Sequence, residues 1–323
     1  MTTQQIDLSE WTFWLPIAFT ISGIGLFILS RFWTRAWFAT FTLTIAGVTA
    51  LTVASPFVGW WLPAQGSSFS GEVDNLFLLI MFLTGLFFLL TEGLILFVLW
   101  NHAPKPGKAP LPIHGDHRLE LIWTVVPGIL LALIAVIQMP TWARMKGQGN
   151  ESWLSARYES GGDKADLLLT VQGRQWEWRV RYRDPSAPPL ARPLEWATHP
   201  EASDLHAVNE VHAYPGAKVR LLLRTQDVIH SFFVPELRLK QDMLPGRTVP
   251  TWFIPTVPAG TSNETRWEIA CAELCGGNHY RMRGHLVIHP DKASFETWYS
   301  TAAREQSRRS RPPETGPLAR KTN

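Results

Sequence analysis

The sequence predicts a membrane-anchored α + β protein, with four N-terminal transmembrane helices followed by an extracytoplasmic β domain. Two observations carry this reading. Before about Met139 the chain is strongly apolar and poor in charge, and after it the chain is polar and rich in Pro, Arg and Trp. The apolar half also holds four uninterrupted runs, residues 11–30, 36–62, 73–100 and 119–139. Each reaches the roughly 20 residues a helix needs to cross a hydrocarbon core. A mean hydropathy near zero conceals this, because it averages two unlike halves.

The four runs are read as spans because a soluble core does not gather four such stretches with only polar connectors between them. The first is not a cleavable signal, since the ten-residue leader before it has no Lys or Arg to form a positive n-region. Orientation follows from the placement of basic residues. Arg31 and Arg35 lie in the first connector, and Lys105, Lys108 and Arg118 in the third. The second connector, residues 63–71, has no basic residue, and neither has the leader. Connectors one and three are therefore cytoplasmic, and both termini lie outside.

The polar half reads as β structure. Residues 167–173, 176–182, 208–214, 219–224, 230–234, 248–254, 266–270 and 286–289 are β-branched or aromatic runs bounded by turn residues. Their spacing suggests a small antiparallel sandwich or barrel. Past residue 299 the sequence becomes rich in Arg, Pro and Glu, and a disordered basic tail is expected over 301–323. The organisation is thus 1–72, two extra N-terminal helices; 73–140, a helix hairpin; 141–300, the β domain; and 301–323, the tail. No internal repeat is present.

A net charge of +3 gives no dense basic face for nucleic acid. Two cysteines cannot build a disulfide framework. They fall instead in Cys271-Ala-Glu-Leu-Cys275-Gly-Gly-Asn-His279-Tyr-Arg-Met282. Thiolate, imidazole and thioether donors in one short segment favour copper over hard cations. Spacings of four, four and three also suit one helix face, but Gly276, Gly277 and Asn278 mark a loop. A mononuclear blue-copper site needs one Cys, one His and a weak Met from such a loop, plus a distant His. Cys275, His279 and Met282 supply the first three, and His230 in Asp227-Val-Ile-His230 is the best distant candidate. Cys271 is then one thiolate too many, whereas two thiolates can bridge two copper ions. In that arrangement Met282 serves one ion and the Glu273 carbonyl the other. A Cys271–Cys275 disulfide and a Cys₂His₂ zinc site are the competing readings; the zinc site leaves Met282 without a role.

The segment CAELCGGNHYRM resembles the dinuclear copper (CuA) loop of cytochrome c oxidase subunit II. DVIHSFFVPELRLKQDMLPGR is similar to that family's segment with the first His ligand, GRQWEW to its aromatic stretch, and HGDHRLELIWTVVP to its approach to the second transmembrane helix. The match runs in order from about Val73 to Ile288. The resemblance implies a cupredoxin-like β-barrel behind a two-helix hairpin, with His230, Cys271, Cys275, His279, Met282 and the Glu273 carbonyl holding two copper ions. It implies that the Glu273 side chain binds Mg²⁺ at the border with subunit I, that electrons enter through Trp176, and that Glu120 marks the mouth of a proton-uptake path. A carboxylate at Glu120 also complements the start of a helix, and Trp176 is otherwise an ordinary packing residue.

Two departures stand out. The family usually has two transmembrane helices, and the first two runs here are additional. Nor is there an excess of acidic residues near the ligand segments to steer a basic cytochrome c. No His falls within a predicted span and no Cys-x-x-Cys-His is present, so no haem is expected in this chain. Oxygen reduction then belongs to a haem-bearing subunit I, with subunit III as a further partner. The donor is cytochrome c or a membrane-tethered cytochrome c. The implied function is electron acceptance in a proton-pumping oxidase of the bacterial inner membrane. The alternative is an electron-transfer subunit of a CuA-containing nitric oxide reductase.

Overall fold

The computed structural model describes residues 62–102, 107, 115–146, 165–184, 187, 190, 193–257 and 261–310, with scattered positions between 39 and 51. The first expected span lies outside the described residues, and of the second only those scattered helical positions are described. The third and fourth are present as α1 (Ser70–Asn101) and α2 (His117–Met145). Their apolar stretches, Ser70–Val98 and His117–Met145, each run 29 residues. At 1.5 Å per residue this exceeds a hydrocarbon core of about 30 Å. Asp116 caps α2 by accepting from the amides of Arg118 and Leu119 at 2.9 and 3.4 Å. Along most of their described length the helices leave apolar side chains uncovered: Phe82, Leu90, Leu121 and Val136 are all exposed, as lipid- or partner-facing residues must be.

The β domain consists of two five-stranded sheets. The first has the order β3–β2–β1–β5–β8, built from β1 (Leu167–Arg174), β2 (Glu177–Tyr182), β3 (Leu205–Val208), β5 (Val219–Thr225) and β8 (Val249–Phe253). The second has the order β4–β10–β9–β6–β7, from β4 (Glu210–Ala213), β6 (His230–Val234), β7 (Leu239–Met243), β9 (Thr265–Cys271) and β10 (Arg283–Ile288). Their shared core contains Leu169, Val171, Trp178, Leu221, Phe232 and Ile269. The opposite face of β5 is covered too. There Leu222 packs with Trp196 of the short helix α3 (Pro193–Thr198). That helix is held by Arg181, whose guanidinium stacks 4.2 Å from the Trp196 ring and donates to Asp204 at 2.6 Å.

Four expectations need correction. The sheets are mixed rather than antiparallel, because β1 pairs parallel with β5, and β10 with β4. Parallel neighbours need a crossover, which strand spacing alone does not reveal. The run 208–214 splits into β3 and β4 at Asn209, whose φ of 59° turns the chain from one sheet to the other. Strand β7 escaped notice because its centre, Lys-Gln-Asp, shows no apolar alternation. Finally, the expected tail is helical over its first residues, in α4 (Lys292–Arg309). Phe295, Trp298 and Tyr299 anchor this helix, and Gln306 accepts from the His206 amide and donates to the Asp204 carbonyl, both at 2.8 Å. Residues 311–323 lie outside the described part.

The segment before α1 is part of the β domain. Gly66 donates to the Glu236 carbonyl at 2.8 Å and accepts from Thr256 at 2.9 Å, and Ser67 bridges to Pro255. Phe69 is buried edge-on against Trp252. The start of α1 and the end of α2 meet through Glu72 and Arg144, and Lys146 donates to Gln241 of β7 at 2.6 Å. The β domain therefore sits at the membrane face holding the second connector, the side that the distribution of basic residues assigns to the exterior.

Under α4, His212 and His289 lie buried, with the His212 ring stacked 3.7 Å from Trp298 and its Nδ1 3.0 Å from His289 Nε2. Burial pushes both imidazoles down, His212 to about 4. An unfolded chain takes up these protons near pH 6.5. Between about 6.5 and 4 the unfolded state thus binds more protons, and stability falls as the pH is lowered. Denaturant unfolding of the detergent-solubilised chain, followed by Trp fluorescence, should lose on the order of 1–3 kcal/mol across that window. His212→Phe keeps the stack and should flatten the slope; an unchanged slope refutes the assignment.

Candidate metal centre

Cys271 ends β9, and the chain then loops through Cys275 and a 3₁₀ turn, His279–Arg281, before Arg283 starts β10. Loop and frame are stitched together by backbone hydrogen bonds. Cys271 donates to the Met282 carbonyl at 3.2 Å and Ala272 to that of Ser231 at 3.1 Å. The register of β6 against β9 pairs Phe232 with Cys271, so His230 at the head of β6 lies beside the loop. Two glycines make the approach possible. A Cβ on Gly173 would lie 2.9 Å from the His230 ring, and one on Gly276 (φ 122°) 2.9 Å from Gln175 Nε2.

The donors converge as a chain of near contacts. His230 Nδ1 lies 3.8 Å from Cys271 Sγ, which is 3.7 Å from Cys275 Sγ. Cys275 Sγ is in turn 3.5 Å from His279 Nδ1 and 3.9 Å from Met282 Sδ, and the Glu273 carbonyl lies 3.3 Å from Cys271 Sγ. Metal–nitrogen and metal–sulfur bonds of about 2.0 and 2.3 Å set donors on one ion at this kind of spacing. The two sulfurs are far beyond the roughly 2.05 Å of a disulfide, and both thiols are free. His230, Cys271 and Cys275 form a candidate metal-binding group. His230, Cys271, Cys275 and Met282 are all buried.

Electrostatics separates the two thiols. Burial pushes both up. At Cys271 the hydrogen bonds with His230 and the Ser231 backbone outweigh burial and bring the thiol to about 6. At Cys275 the neighbouring Cys271 charge adds to burial and the thiol rises to about 12. The His230 imidazole is raised despite burial by Cys271 and Asp227.

Asp227 and Gln175 were not singled out in the sequence. Asp227 accepts from His230 Nε2 at 2.8 Å, leaving Nδ1 aimed at the sulfurs. Its other oxygen accepts from the Gln175 amide at 2.8 Å, and the Gln175 side chain donates to the Cys275 carbonyl at 2.7 Å. A carboxylate three residues before a candidate ligand His is the signal that could have found the first of these; nothing local marks Gln175. Trp176 lies half-buried beside the loop, since a Cβ on Gly276 would sit 3.3 Å from its ring. Trp178 packs edge-on to His230 with centroids 6.3 Å apart. The Glu273 side chain is exposed. Glu120 is not part of this assembly. It stands in the first turn of α2, at the far end from the β domain, with His117 Nδ1 3.2 Å away.

Two family models match in chain order. Residues 57–140 match the transmembrane domain of cytochrome c oxidase subunit II, and residues 167–289 match its periplasmic domain. The cytochrome c oxidase subunit 2 of Thermostichus vulcanus is 29% identical over 301 residues, covering 80% of this chain and 83% of that protein. A probable cytochrome c oxidase subunit 2 of Rickettsia bellii is 27% identical, covering 80% and 91%. Among solved structures, the periplasmic domain of subunit II of cytochrome oxidase from Bradyrhizobium japonicum is 25% identical, covering 44% of this chain and 97% of that one, with a TM-score of 0.34. A membrane hairpin and a periplasmic domain matched in this order, around a buried soft-donor group, place the chain in the cytochrome c oxidase subunit II family, as the electron-accepting subunit of a respiratory oxidoreductase.

Proposed function

We propose that the chain accepts single electrons from cytochrome c at a dinuclear copper centre and hands them to a haem-bearing subunit I, which reduces O₂ to water and pumps protons. The observation that carries this is the position of Cys271 and Cys275 at the middle of the donor chain, with one His beyond each sulfur. His230, Cys271, Cys275, His279, Met282 and the Glu273 carbonyl would hold the copper ions, the two thiolates being placed centrally among the donors. Copper supplies reversible one-electron chemistry there. The residues supply a dry, rigid pocket: Asp227 fixes the His230 ring, and Gln175 ties the hairpin that presents Trp176 to the Cys275 backbone. The buried thioether of Met282 favours copper over zinc, which uses thiolate, imidazole and carboxylate donors. The exposed Glu273 carboxylate holds Mg²⁺ at the border with subunit I, as suits a hard cation. The setting is the bacterial inner membrane, four spans in all, with the β domain a cupredoxin-like barrel on the periplasmic side and subunit III as a further partner.

Metal content tests the centre. The purified complex should hold two coppers in this subunit with a mixed-valence, purple spectrum, and one copper with an ordinary blue spectrum refutes a dinuclear site. Cys275→Ser should lose the shared-valence signal. Glu273→Gln should lose magnesium but keep both coppers, because the backbone carbonyl is retained.

Trp176 is the electron port. Trp176→Phe should slow reduction by the donor protein about tenfold or more while copper content and spectrum persist, a loss equivalent to at least about 1.4 kcal/mol of barrier. A variant that loses copper instead shows Trp176 to be packing.

Glu120 collects protons for the partner subunit. Its place at the cytoplasmic end of α2 suits uptake from that side, which oxygen reduction with proton pumping requires. Glu120→Gln in the assembled oxidase should lower turnover several-fold and slow reduction of the oxygen-binding haem, with partial rescue by amphipathic carboxylic acids. Turnover equal to the parent across the pH range leaves Glu120 as a helix start.

A further inference from the structure

We propose that α4 is a proton-operated clasp, which opens from the β domain locally, ahead of the sheets, when the His212–His289 pair beneath it takes up a proton. It is this one element, rather than the whole fold, that gives way first. Two attachments hold the helix. Gln306 docks on the edge of β3, the outermost strand of the first sheet, accepting from the His206 amide and donating to the Asp204 carbonyl, both at 2.8 Å. A carbonyl and an amide two residues apart are the groups that a further strand would pair with. One side-chain amide stands in for that strand. The second attachment is aromatic: Trp298 lies over the His212 ring at 3.7 Å and edge-on to Tyr182 at 5.5 Å, and Phe295 meets Tyr214 at 5.4 Å. Neither attachment is part of a strand ladder, so α4 can leave without unpairing either sheet.

The hydrogen bonds beneath the helix leave no place for another proton. His212 Nε2 faces Glu210 Oε2 at 3.3 Å, and its Nδ1 faces His289 Nε2 at 3.0 Å. A carboxylate only accepts, so His212 donates from Nε2 to Glu210 and accepts at Nδ1 from His289. A proton added at His212 Nδ1 would meet that hydrogen head-on, and one added to His289 would put a charge into the aromatic cluster. Glu210 is already engaged by Arg266, which also has Glu264 3.8 Å away. Asp291, the N-cap of α4, accepts from the Ser294 amide at 2.7 Å. Burial outweighs the pull of Glu210 on His212, and of Glu264 and Asp291 on His289, and holds both imidazoles down. His206, beside the Gln306 attachment, is lowered too, by burial and by Arg181. When α4 lifts, the rings lose Trp298 and Phe295 and regain water. His212 then takes a proton near 6.5, against about 4 in the closed form. The open form therefore gains as pH falls from 6.5 towards 4. For His212 alone, the opening equilibrium rises about 30-fold between about pH 7.5 and pH 5.

Hydrogen–deuterium exchange of the detergent-solubilised full chain, read by mass spectrometry and corrected for intrinsic rates, separates local from global opening. From about pH 7.5 to pH 5, protection of the amides of residues 296–309 should fall about 10- to 30-fold, while β1, β5, β6 and β9 keep theirs. His212→Gln should remove most of that fall, and His289→Gln part of it, since glutamine keeps a hydrogen bond but does not titrate. Gln306→Ala should lower protection of α4 by the same factor at both pH values, because it loosens the β3 attachment without touching the pair. The clasp is overturned if α4 keeps its protection at the lower pH. It is equally overturned if α4 and the strands lose protection together, which makes the opening global, or if both histidine variants retain the full fall.

Discussion

Two sulfurs 3.7 Å apart in a buried pocket are the constraint on which the rest of the structure depends. Two thiolates at that distance repel strongly away from water, so the first to ionise raises the cost of the second. The thiols accordingly part company, Cys271 low at about 6 and Cys275 high at about 12. A cation held between the two sulfurs would offset that repulsion, so the pocket suits a metal ion better than two thiolates. A disulfide would also end the repulsion, but the two sulfurs stand 3.7 Å apart and both thiols are free. The loop is pinned at both ends, by Cys271 to the Met282 carbonyl and by Ala272 to that of Ser231.

Rigidity follows from how the frame is assembled. The candidate ligand His230 lies on one strand, the thiols flank the end of another, and the hairpin of β1 and β2 lies against both. The three are joined by polar contacts rather than by packing alone. Asp227 grips the His230 ring and the Gln175 amide, and the Gln175 side chain grips the Cys275 carbonyl. Each hydrogen bond contributes only about 0.5–1.5 kcal/mol net. Linked in a closed path around the donors, they fix orientation more than stability, as outer partners of metal ligands commonly do. A centre that passes electrons gains from this, because donors that cannot move cost little reorganisation.

The sequence exposed the chemistry more readily than its setting. Cys271, Cys275, His279 and Met282 are legible because they are close in sequence, chemically soft and punctuated by glycine. His230 was legible only as the best distant candidate, and the fold brings it beside the two cysteines. Asp227 and Gln175 were missed because their roles depend on the register that brings β1, β6 and the loop together, and a single sequence does not give register. The β7 strand and the helical continuation past residue 301 were missed for a related reason. Lys240, Gln241 and Asp242 carry no alternation, and the anchoring of α4 by Gln306 is a tertiary contact that composition cannot signal. The additional N-terminal spans rest on hydropathy alone.

The second connector shows how a membrane anchor is built into the frame of the candidate metal centre. It was notable in sequence only for lacking basic residues, yet residues 65–70 are woven into the β domain. Ser67 donates to the Leu237 carbonyl at 2.8 Å and Ser70 to that of Glu236 at 3.1 Å. One turn into α1, Asp74 accepts from Arg238 at 2.6 and 3.0 Å and from Gln65 at 2.9 Å. Arg238 has a positive φ of 55°, in a tight turn between β6 and β7 that aims its guanidinium at the helix. Paired through two guanidinium nitrogens to both carboxylate oxygens and nearly excluded from water, this ion pair is the kind whose value lies in fixing geometry more than in net stability. Strand β6 carries His230 at one end and leads into that turn at the other. The path from membrane helix to candidate ligand is thus one short turn and a single strand of five residues. A copper centre hung from the bilayer by a loose linker would present a variable distance to the next redox group. Here the helix is tied directly to the strand that carries His230, so the orientation of the anchor and the position of the candidate ligand are set by the same contacts.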